Sequence, residues 1–411
     1  MSRNSADDLI RTPPKNWPPG AVGESPASVG RRGWRLLHDF ATPMCSLSDS
    51  ALTHNLAAIR DWISALGVGW APHGKTTMSP ELIARQLEAG AMGITAATPW
   101  QAERLVDWGV DRVVLANVCA DPAPLARLLR RQVEVVTFVD SVESVRLTAR
   151  AQAESGRDRL PVLIEVGMPG GRCGVRDGEA GLAVARAVAD EPGLRLAGTA
   201  TFEGTVTGRG ADPVGAVRSL LRVVRELTEA MIGAELIDPG TDGAVLVSAG
   251  GSMYPDLVVD ALRDGWSARV RLLLRSGCAV IHDHGLYAES APARPDVRPA
   301  LRVWSRVLSV PEPGWAIIYA GKRDLTVDPP ARVLAVHRVT GTGTSGRTPV
   351  SLVLDHHNDQ HGYVRFTDED LRVGDLLELG ISHPCLTFDR WTHIPVVDDE
   401  LRVIGAVTTC F

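Results

Sequence analysis

A repeated alternation of short apolar runs and amphipathic helical patterns, beginning near Thr42, constrains the fold more than any other feature of this sequence. Between the runs, apolar residues recur at steps of three and four, which is the helical period. Eight such strand–helix units predict an α/β fold, a (β/α)8 barrel. A doubly wound open sheet is the alternative, but no GxGxxG follows the first run. The runs are VGWAP (68–72), GITAA (93–97), RVVLAN (112–117), EVVTFV (134–139), PVLIEVG (161–167), LAGTATF (196–202), AVLVSAGG (244–251) and VRLLLRSG (270–277).

The pattern changes at both ends of this region. After about residue 295 the helical patterns stop, and short β-rich runs punctuated by Gly, Pro and Asp predict a C-terminal β-domain over 295–411. The segment WRLLHDFATPMCSLS is a candidate additional strand of that domain. Residues 1–30 are rich in Pro, Gly and Ser, which predicts a flexible N-terminal arm. The barrel is then expected over 31–294.

Charge and composition exclude several classes of function. The net charge is −6 and no long basic block occurs, which argues against a nucleic-acid partner. No apolar run approaches the roughly 18–20 residues of a membrane-spanning helix. The six cysteines are widely and irregularly spaced, which is not typical of a disulfide framework, and the first residues lack the apolar core of a signal peptide. We therefore expect a cytoplasmic protein.

Lysine is scarce, and one lysine stands at an informative position. Of 43 basic residues only Lys15, Lys75 and Lys322 are lysines. A coding bias toward arginine explains this scarcity, but only an amine forms an imine with an aldehyde. Lys75, in APHGKTT, follows the first predicted strand, and barrel active sites lie at the carboxyl ends of the strands. It is either a nucleophile at the barrel mouth or a surface residue of a loop.

Two glycine-rich segments also follow predicted strands. Ser248-Ala249-Gly250-Gly251-Ser252 comes after the seventh strand, where barrels often bind phosphate through bare backbone N–H groups. Gly170-Gly171-Arg172-Cys173-Gly174 follows the fifth strand and places an arginine where it could meet an anionic oxygen. The alternatives are an ordinary glycine-rich turn and a salt-bridged surface arginine.

His383 and Cys385 form a candidate metal pair in GISHPCLTFDRW. Two residues apart on an extended segment, their side chains point to the same side. Imidazole and thiolate ligands favour zinc over magnesium or calcium, and two ligands leave open positions for water or substrate. A buried cysteine beside a hydrogen-bonded histidine is the alternative. The histidines of LDHHNDQHG, namely His356, His357 and His361, are weaker ligand candidates.

Taken together, these motifs resemble a known family. PHGKT, GGRCGVR, SAGGS, RSGC, GKRD, NDQHG and HPCLTFDRW, in this order, look like the fold-type III pyridoxal-phosphate enzymes of the D-threonine aldolase and D-serine dehydratase family, in the bacterial amino-acid deaminase-like branch. The likeness extends from about residue 35 to the end. PHGKT and the late His-x-Cys pair are its specific part.

The resemblance implies an alanine-racemase-like barrel, a C-terminal β-domain and a homodimer. Lys75 corresponds to the lysine that forms an imine with pyridoxal 5'-phosphate. Gly250, Gly251 and Ser252 correspond to the cradle of the cofactor phosphate, and Arg172 to an arginine beside the cofactor ring. His383 and Cys385 correspond to the ligands of a divalent metal, with zinc expected.

The resemblance also implies a reaction. Relatives with aldolase activity usually have aspartate at the second metal position, whereas D-serine dehydratases have cysteine. Cys385 therefore favours elimination of water from a D-β-hydroxy amino acid such as D-serine, D-threonine or D-3-hydroxyaspartate. The chain departs from the family at Phe202 and Ala279, where relatives commonly carry tyrosine. His282 and His284 add two imidazoles near the barrel mouth without an assigned role.

Two other functions remain open from the sequence. A retro-aldol cleavage of the D-threonine aldolase type uses the same cofactor and metal, and only Cys385 argues against it. A non-catalytic carrier of pyridoxal phosphate has the same barrel. Such carriers usually lack a C-terminal β-domain and a His-x-Cys pair.

Overall fold

The computed structural model describes residues 9–206, 212–290, 295–326, 329–340 and 343–411. Every helix in these ranges is too short or too polar to cross a lipid bilayer. The helices are α1 (Leu36–Asp39), α2 (Asp49–Leu66), α3 (Pro80–Glu88), α4 (Pro99–Asp107), α5 (Pro122–Leu129), α6 (Val142–Ser155), α7 (Gly178–Ala189), α8 (Pro213–Gly233), α9 (Pro255–Leu262), α10 (Leu286–Ser290) and α11 (Cys385–Phe388). The strands are β1 (Met44–Ser48), β2 (Gly69–Trp70), β3 (Ile94–Ala96), β4 (Arg112–Val118), β5 (Glu134–Val139), β6 (Leu160–Val166), β7 (Leu194–Thr201), β8 (Val245–Ala249), β9 (Val270–Leu274), β10 (Leu301–Glu312), β11 (Trp315–Ile318), β12 (Arg332–Thr340), β13 (Gly343–His357), β14 (Gly362–Arg365), β15 (Leu376–Gly380), β16 (His393–Val397) and β17 (Val403–Thr408).

Strands β2 to β9 form the predicted barrel. Within the described residues they make one eight-stranded parallel sheet in the order β2-β9-β8-β7-β6-β5-β4-β3. The sheet closes between β2 and β3 through a parallel bridge of His73 with Thr95 and a 2.8 Å hydrogen bond from the Met92 N–H to the Trp70 carbonyl. Each strand overlaps one of the apolar runs, which confirms the predicted fold class.

The barrel helices begin where the sequence places a capping residue. The side chains of Ser79, Thr98, Asp121 and Asp212 accept hydrogen bonds from the first turns of α3, α4, α5 and α8. A proline follows each of them at the first helical position, where its missing N–H costs nothing. These caps therefore fix where the helices begin after the carboxyl ends of the strands.

The remaining strands form a second sheet around β10, which is antiparallel except for the parallel pair β1 and β16. The order is β11-β14-β13-β12-β15-β10-β1-β16-β17 within the described chain, and β10 also pairs with β11. Because of this extra pairing, the strands from β10 through β15 form a second, smaller closed barrel. The segment 34–48 contributes β1, whose residues pair with β10 in the register Met44 to Trp304. β1 thus lies in the second sheet although it precedes the first barrel in sequence.

The described part of the N-terminal segment packs against this second sheet. Ile10, Trp17, Ala21 and Val29 are buried in one apolar cluster with residues of the sheet such as Trp304. The segment therefore differs from the flexible arm predicted for residues 1–30. Its apolar residues are isolated between prolines and glycines, so no period in the sequence reveals that they are buried.

Candidate active site

Lys75 lies at the mouth of the first barrel, as its position after the first strand predicts. It occupies a single 3-10 turn (Gly74–Thr76) after β2, and it is half-buried. The loops after five barrel strands meet around it, which is how this architecture gathers residues that are distant in sequence. The cavity in front of its amine is lined by His73, Ala116, Arg172, Phe202, Gly250, Gly251 and Arg275.

Gly250 and Gly251, after β8, line this cavity. Both N–H groups donate to the carboxylate of Glu203, the Gly250 bond being 3.2 Å long. Gly250 has φ +89°, and a Cβ on Gly251 would approach Cε2 of Phe202 to 2.6 Å. Glycine is therefore required here, and the pair already binds a carboxyl group through its N–H groups.

Glu203 is a site residue that the sequence analysis did not identify. Its side chain is fully buried, and burial raises its pKa. Hydrogen bonds from Gly250 and Gly251 and the charge of Arg275 oppose this rise. The only signal in the sequence was a charged residue directly after a strand, in TFEG.

Arg172 is positioned by a buried acid and an aromatic ring. Its Nη2 donates to Oε1 of Glu165 at 3.0 Å, and its guanidinium lies 4.9 Å from the centre of the Phe202 ring. The second oxygen of Glu165, Oε2, is buried and has no hydrogen-bond partner among the described residues. The predicted arginine therefore lines the same cavity as Lys75.

Arg275, after β9, is a second arginine at the site that the sequence analysis left without a role. It is 5% exposed, and its guanidinium donates at 2.6 Å to Oγ of Ser248 and at 2.6 Å to the carbonyl of Thr201. Burial lowers its pKa to about 10. Arg275 thus ties together the ends of β7, β8 and β9. A charged residue closing an apolar strand, as in VRLLLRSG, was the available signal.

Ser252 has a different environment from the glycines before it. Its hydroxyl accepts a 3.0 Å hydrogen bond from the Ala279 N–H. It faces an adjoining cavity that Ala279 and His282 also line. In this structure Ser252 therefore joins the loop after β8 to the loop after β9, and its part in phosphate binding stays a prediction.

His383 and Cys385 lie beside Lys75 and are joined by a third candidate ligand, Cys278. The ligand atoms of the three residues all lie within 4.8 Å of one another. The two sulfur atoms are 3.2 Å apart, and Oγ1 of Thr76 is 3.2 Å from Cys278 and 3.5 Å from Cys385. We call Cys278, His383 and Cys385 the thiol–imidazole cluster. Cys278 follows β9 in RSGC, so a cysteine after a barrel strand was the signal.

The two thiols of the cluster differ in acidity. Hydrogen bonds from Cys385, then from His383 and Thr76, lower the pKa of Cys278 well below its usual range against the effect of burial. The same hydrogen bond and burial raise the pKa of Cys385. Cys278 is therefore the more acidic of the two thiols, and thiolates are the form of cysteine that binds metals.

Two other histidines named in the sequence analysis, His284 and His356, make contacts outside the cluster. His284 packs against Gly380, and its backbone N–H donates to the Ile381 carbonyl at 2.8 Å. His356 stacks on Tyr363 with ring centres 4.0 Å apart. Within the described ranges, neither belongs to the cluster of potential metal ligands.

These residues fit the cofactor and metal that the resemblance implies. The cavity offers an amine, two arginines and an anion-binding pair of N–H groups. His73 adds a buried Nδ1 that has no partner in the described chain. Thiol and imidazole ligands in the cluster are the donors that zinc prefers.

Comparisons with known proteins agree with the predicted family and fold. Residues 47–240 match the family profile "Alanine racemase, N-terminal domain", and residues 300–397 match "Putative serine dehydratase domain". D-threonine aldolase of Arthrobacter sp is 28% identical over 372 residues, which are 87% of this chain and 89% of that protein. D-threo-3-hydroxyaspartate dehydratase of Delftia sp. (strain HT23) is 29% identical over 364 residues, covering 84% and 91%.

The fold has a close counterpart among solved structures. A cysteine-to-alanine variant of D-threo-3-hydroxyaspartate dehydratase, solved in a metal-free form, superposes with a TM-score of 0.71 at 25% identity and covers 90% of this chain and 98% of that chain. Barrel and β-domain thus agree over 90% of this chain. These likenesses confirm the predicted resemblance to the fold-type III pyridoxal-phosphate family, with one match to an alanine-racemase N-terminal domain and one to a serine-dehydratase domain.

Proposed function

We propose that the protein is a pyridoxal-phosphate- and zinc-dependent lyase that eliminates water from a D-β-hydroxy amino acid. The enamine that remains then takes up water and hydrolyses to a 2-oxo acid and ammonia. One observation carries this proposal: the thiol–imidazole cluster lies directly beside Lys75. Thr76, the residue after Lys75, contacts both sulfur atoms through its hydroxyl. One small substrate can therefore meet the amine and a metal at the same time.

Lys75 is the residue that binds the cofactor through its amine and later moves a proton at Cα of the substrate. Pyridoxal phosphate, when bound, supplies the electron sink for the resulting carbanion. Lysine suits the first task because its amine reacts with the cofactor aldehyde. Its position at the cavity, beside the cluster, suits the second.

Arg172 and the two glycines hold the cofactor in place in this proposal. Arg172 lies against the ring of Phe202 and is oriented by the buried Glu165. The N–H groups of Gly250 and Gly251 receive the phosphate, and Ser252 is expected to assist them. Because Glu203 now accepts from both N–H groups, its carboxylate must leave them or share them when a phosphate binds.

His383 and Cys385 hold the metal, for which zinc is the preferred ion. A divalent metal supplies a Lewis acid for the β-hydroxyl, which is a poor leaving group without one. The half-buried cluster excludes much of the solvent, and electrostatic interactions are stronger where water is excluded.

Retro-aldol cleavage is the second candidate function, and similarity to D-threonine aldolase of Arthrobacter sp supports it. The similarity to D-threo-3-hydroxyaspartate dehydratase and the cysteine at position 385 support elimination. Both reactions would use Lys75 and the cluster. Elimination removes the Cα proton and breaks the Cβ–O bond, whereas retro-aldol cleavage removes the β-hydroxyl proton, breaks the Cα–Cβ bond and then protonates Cα.

The experiment is product analysis with D-threonine, using protein loaded with pyridoxal phosphate and zinc. Elimination predicts 2-oxobutyrate and ammonia in equal amounts, whereas aldol cleavage predicts glycine and acetaldehyde. L-threonine is the matched control and should stay intact. The second pair of products would replace the proposed reaction by its alternative. If neither D-threonine, D-serine nor D-3-hydroxyaspartate reacted, the lyase proposal would be wrong.

A further inference from the structure

The sulfur of Cys278 is placed where a metal bound to His383 and Cys385 would also reach it. It lies 3.2 Å from the Cys385 sulfur, and the ligand atoms of all three residues are within 4.8 Å of one another. In a tetrahedral zinc site with Zn–S bonds of about 2.3 Å, two sulfur ligands are about 3.8 Å apart. If each sulfur atom moved a few tenths of an ångström away from the other, both could bind one ion.

We propose that Cys278 is a third metal ligand, so that Cys278, His383 and Cys385 form a Cys2His centre with one open position. Three protein ligands and one exchangeable position are the arrangement of catalytic zinc sites, and a Cys2His set occurs among them. Two thiolates select a thiophilic ion such as Zn²⁺ over Mg²⁺ or Mn²⁺. Only the use of the open position for the substrate oxygen rests on the proposed function.

Cys278 is held in this position by the barrel backbone. A Cβ on Gly277 would come within 2.4 Å of the His73 carbonyl oxygen, so the loop after β9 packs tightly on the loop after β2. Cys278 itself is 7% exposed, and its sulfur lies 3.2 Å from the hydroxyl oxygen of Thr76. The backbone therefore holds the Cys278 side chain beside the other two ligands before a metal binds.

The three ligands come from both parts of the fold. Cys278 belongs to the barrel, whereas His383 and Cys385 follow β15 of the second sheet. The segment that carries His383 is attached to the barrel by a 3.1 Å hydrogen bond from the Leu286 N–H to the Ser382 carbonyl. A metal on the cluster would tie the two parts together, so its binding should also raise the unfolding temperature.

The experiment titrates the reduced, metal-stripped full-length protein with Co²⁺ and then with Zn²⁺. Thiolate-to-cobalt charge-transfer absorbance reports the number of sulfur ligands, and competition with a chromogenic chelator gives the zinc affinity. We expect Cys278→Ser and Cys385→Ser each to lose about half of the absorbance per cobalt. Each should also lose zinc affinity by at least about 100-fold, more than an outer partner of a ligand costs. Cys45→Ala, which removes a buried thiol of β1, is the matched control and should match the wild type.

Alkylation of the wild type gives a measurement that does not depend on a variant that folds poorly. Zn²⁺ should protect both Cys278 and Cys385 from iodoacetamide and leave the exposed Cys173 reactive. Protection of Cys385 without Cys278, or full cobalt absorbance and zinc affinity in Cys278→Ser, would overturn the proposal. Reduced wild type that binds neither ion would overturn it too. None of these measurements depends on turnover. An absence of lyase activity would therefore refute the proposed function without contradicting the proposed metal centre.

Discussion

At the scale of single residues, the hydroxyl of Thr76 connects the two chemical centres. It follows Lys75 in the chain and contacts the sulfurs of Cys278 and Cys385 at 3.2 and 3.5 Å. Lys75 was identifiable from the sequence because so few lysines are present and because it follows a predicted strand. Cys278 was not, since it is 107 residues away from Cys385 and only the fold brings the two sulfurs together.

Replacing Lys75 with alanine should abolish covalent attachment of the cofactor without unfolding the protein. The visible absorbance band of lysine-bound pyridoxal phosphate should disappear, because no other described lysine lines the cavity. Borohydride reduction followed by peptide mass analysis should locate the cofactor on Lys75 in the wild type. Lys322→Ala is the matched control and should retain the band. A band that survives in Lys75→Ala would refute the assignment.

Replacing Glu203 with glutamine should strengthen cofactor binding. The carboxylate occupies the N–H groups of Gly250 and Gly251, and a buried negative charge there repels an incoming phosphate. We expect the dissociation constant of pyridoxal phosphate to fall by roughly tenfold, which corresponds to about 1.4 kcal/mol. Titration of the apoprotein measures it, with the exposed Glu179→Gln as control. Weaker binding would show instead that Glu203 supports the cofactor.

At the scale of secondary-structure elements, each barrel strand was predictable because an apolar run alternates with a helical pattern of period 3.6. The loops at the strand ends were less predictable. Gly277 allows the loop after β9 to approach His73 closely, and a glycine alone does not reveal its partner. The closure of β10 to β11, which completes the smaller barrel, likewise depends on pairing that local patterns do not encode.

Strand β15 carries a buried acid whose titration should make stability depend on pH. Burial opposes ionisation of Glu378, but hydrogen bonds from His337 and Arg347 and the charge of Arg302 outweigh it and lower its pKa from 4.5 to about 2. A carboxyl with a lowered pKa stabilises the fold above its unfolded-state pKa, and this contribution is lost as the pH falls from about 4.5 to about 2.

Glu378→Gln should therefore destabilise the protein near neutral pH and remove part of its acid sensitivity. We expect a loss of at most about 3 kcal/mol in the free energy of unfolding near neutral pH, shrinking toward about pH 2. Urea unfolding across this range measures both effects. Glu312→Gln, at an exposed end of β10, is the control. If the pH profile of unfolding were unchanged in Glu378→Gln, this account of Glu378 and its basic partners would be contradicted.

At the scale of the whole molecule, two apolar clusters meet on either side of β1. The larger one surrounds the barrel and continues into the β-domain, whereas the smaller one joins the N-terminal segment to the second sheet. Lys15 supports the second contact, because its ammonium group is 2.9 Å from Asp324 and lies over the ring of Trp391. The sequence predicted the barrel and the β-domain but not this contact, since isolated apolar residues among prolines show no periodicity.

The packing of the N-terminal segment predicts that alanine substitutions at two neighbouring residues change the free energy of unfolding by very different amounts. Ile10 is 1% exposed and Leu9 is 40% exposed. Ile10→Ala should lower the free energy of unfolding by about 2–4 kcal/mol, because it leaves a cavity in the apolar cluster. Leu9→Ala should change it by less than about 0.5 kcal/mol. Equal effects in chemical denaturation would indicate that the segment does not pack as described.

The most direct test of the central claim is the metal dependence of 2-oxobutyrate formation from D-threonine at full cofactor occupancy. The account predicts turnover by the zinc-loaded protein, its loss after chelation while the cofactor absorbance persists, and its return when Zn²⁺ is added back. Cofactor and cluster then act on the same substrate. Turnover that continues unchanged after verified removal of the metal would contradict that claim.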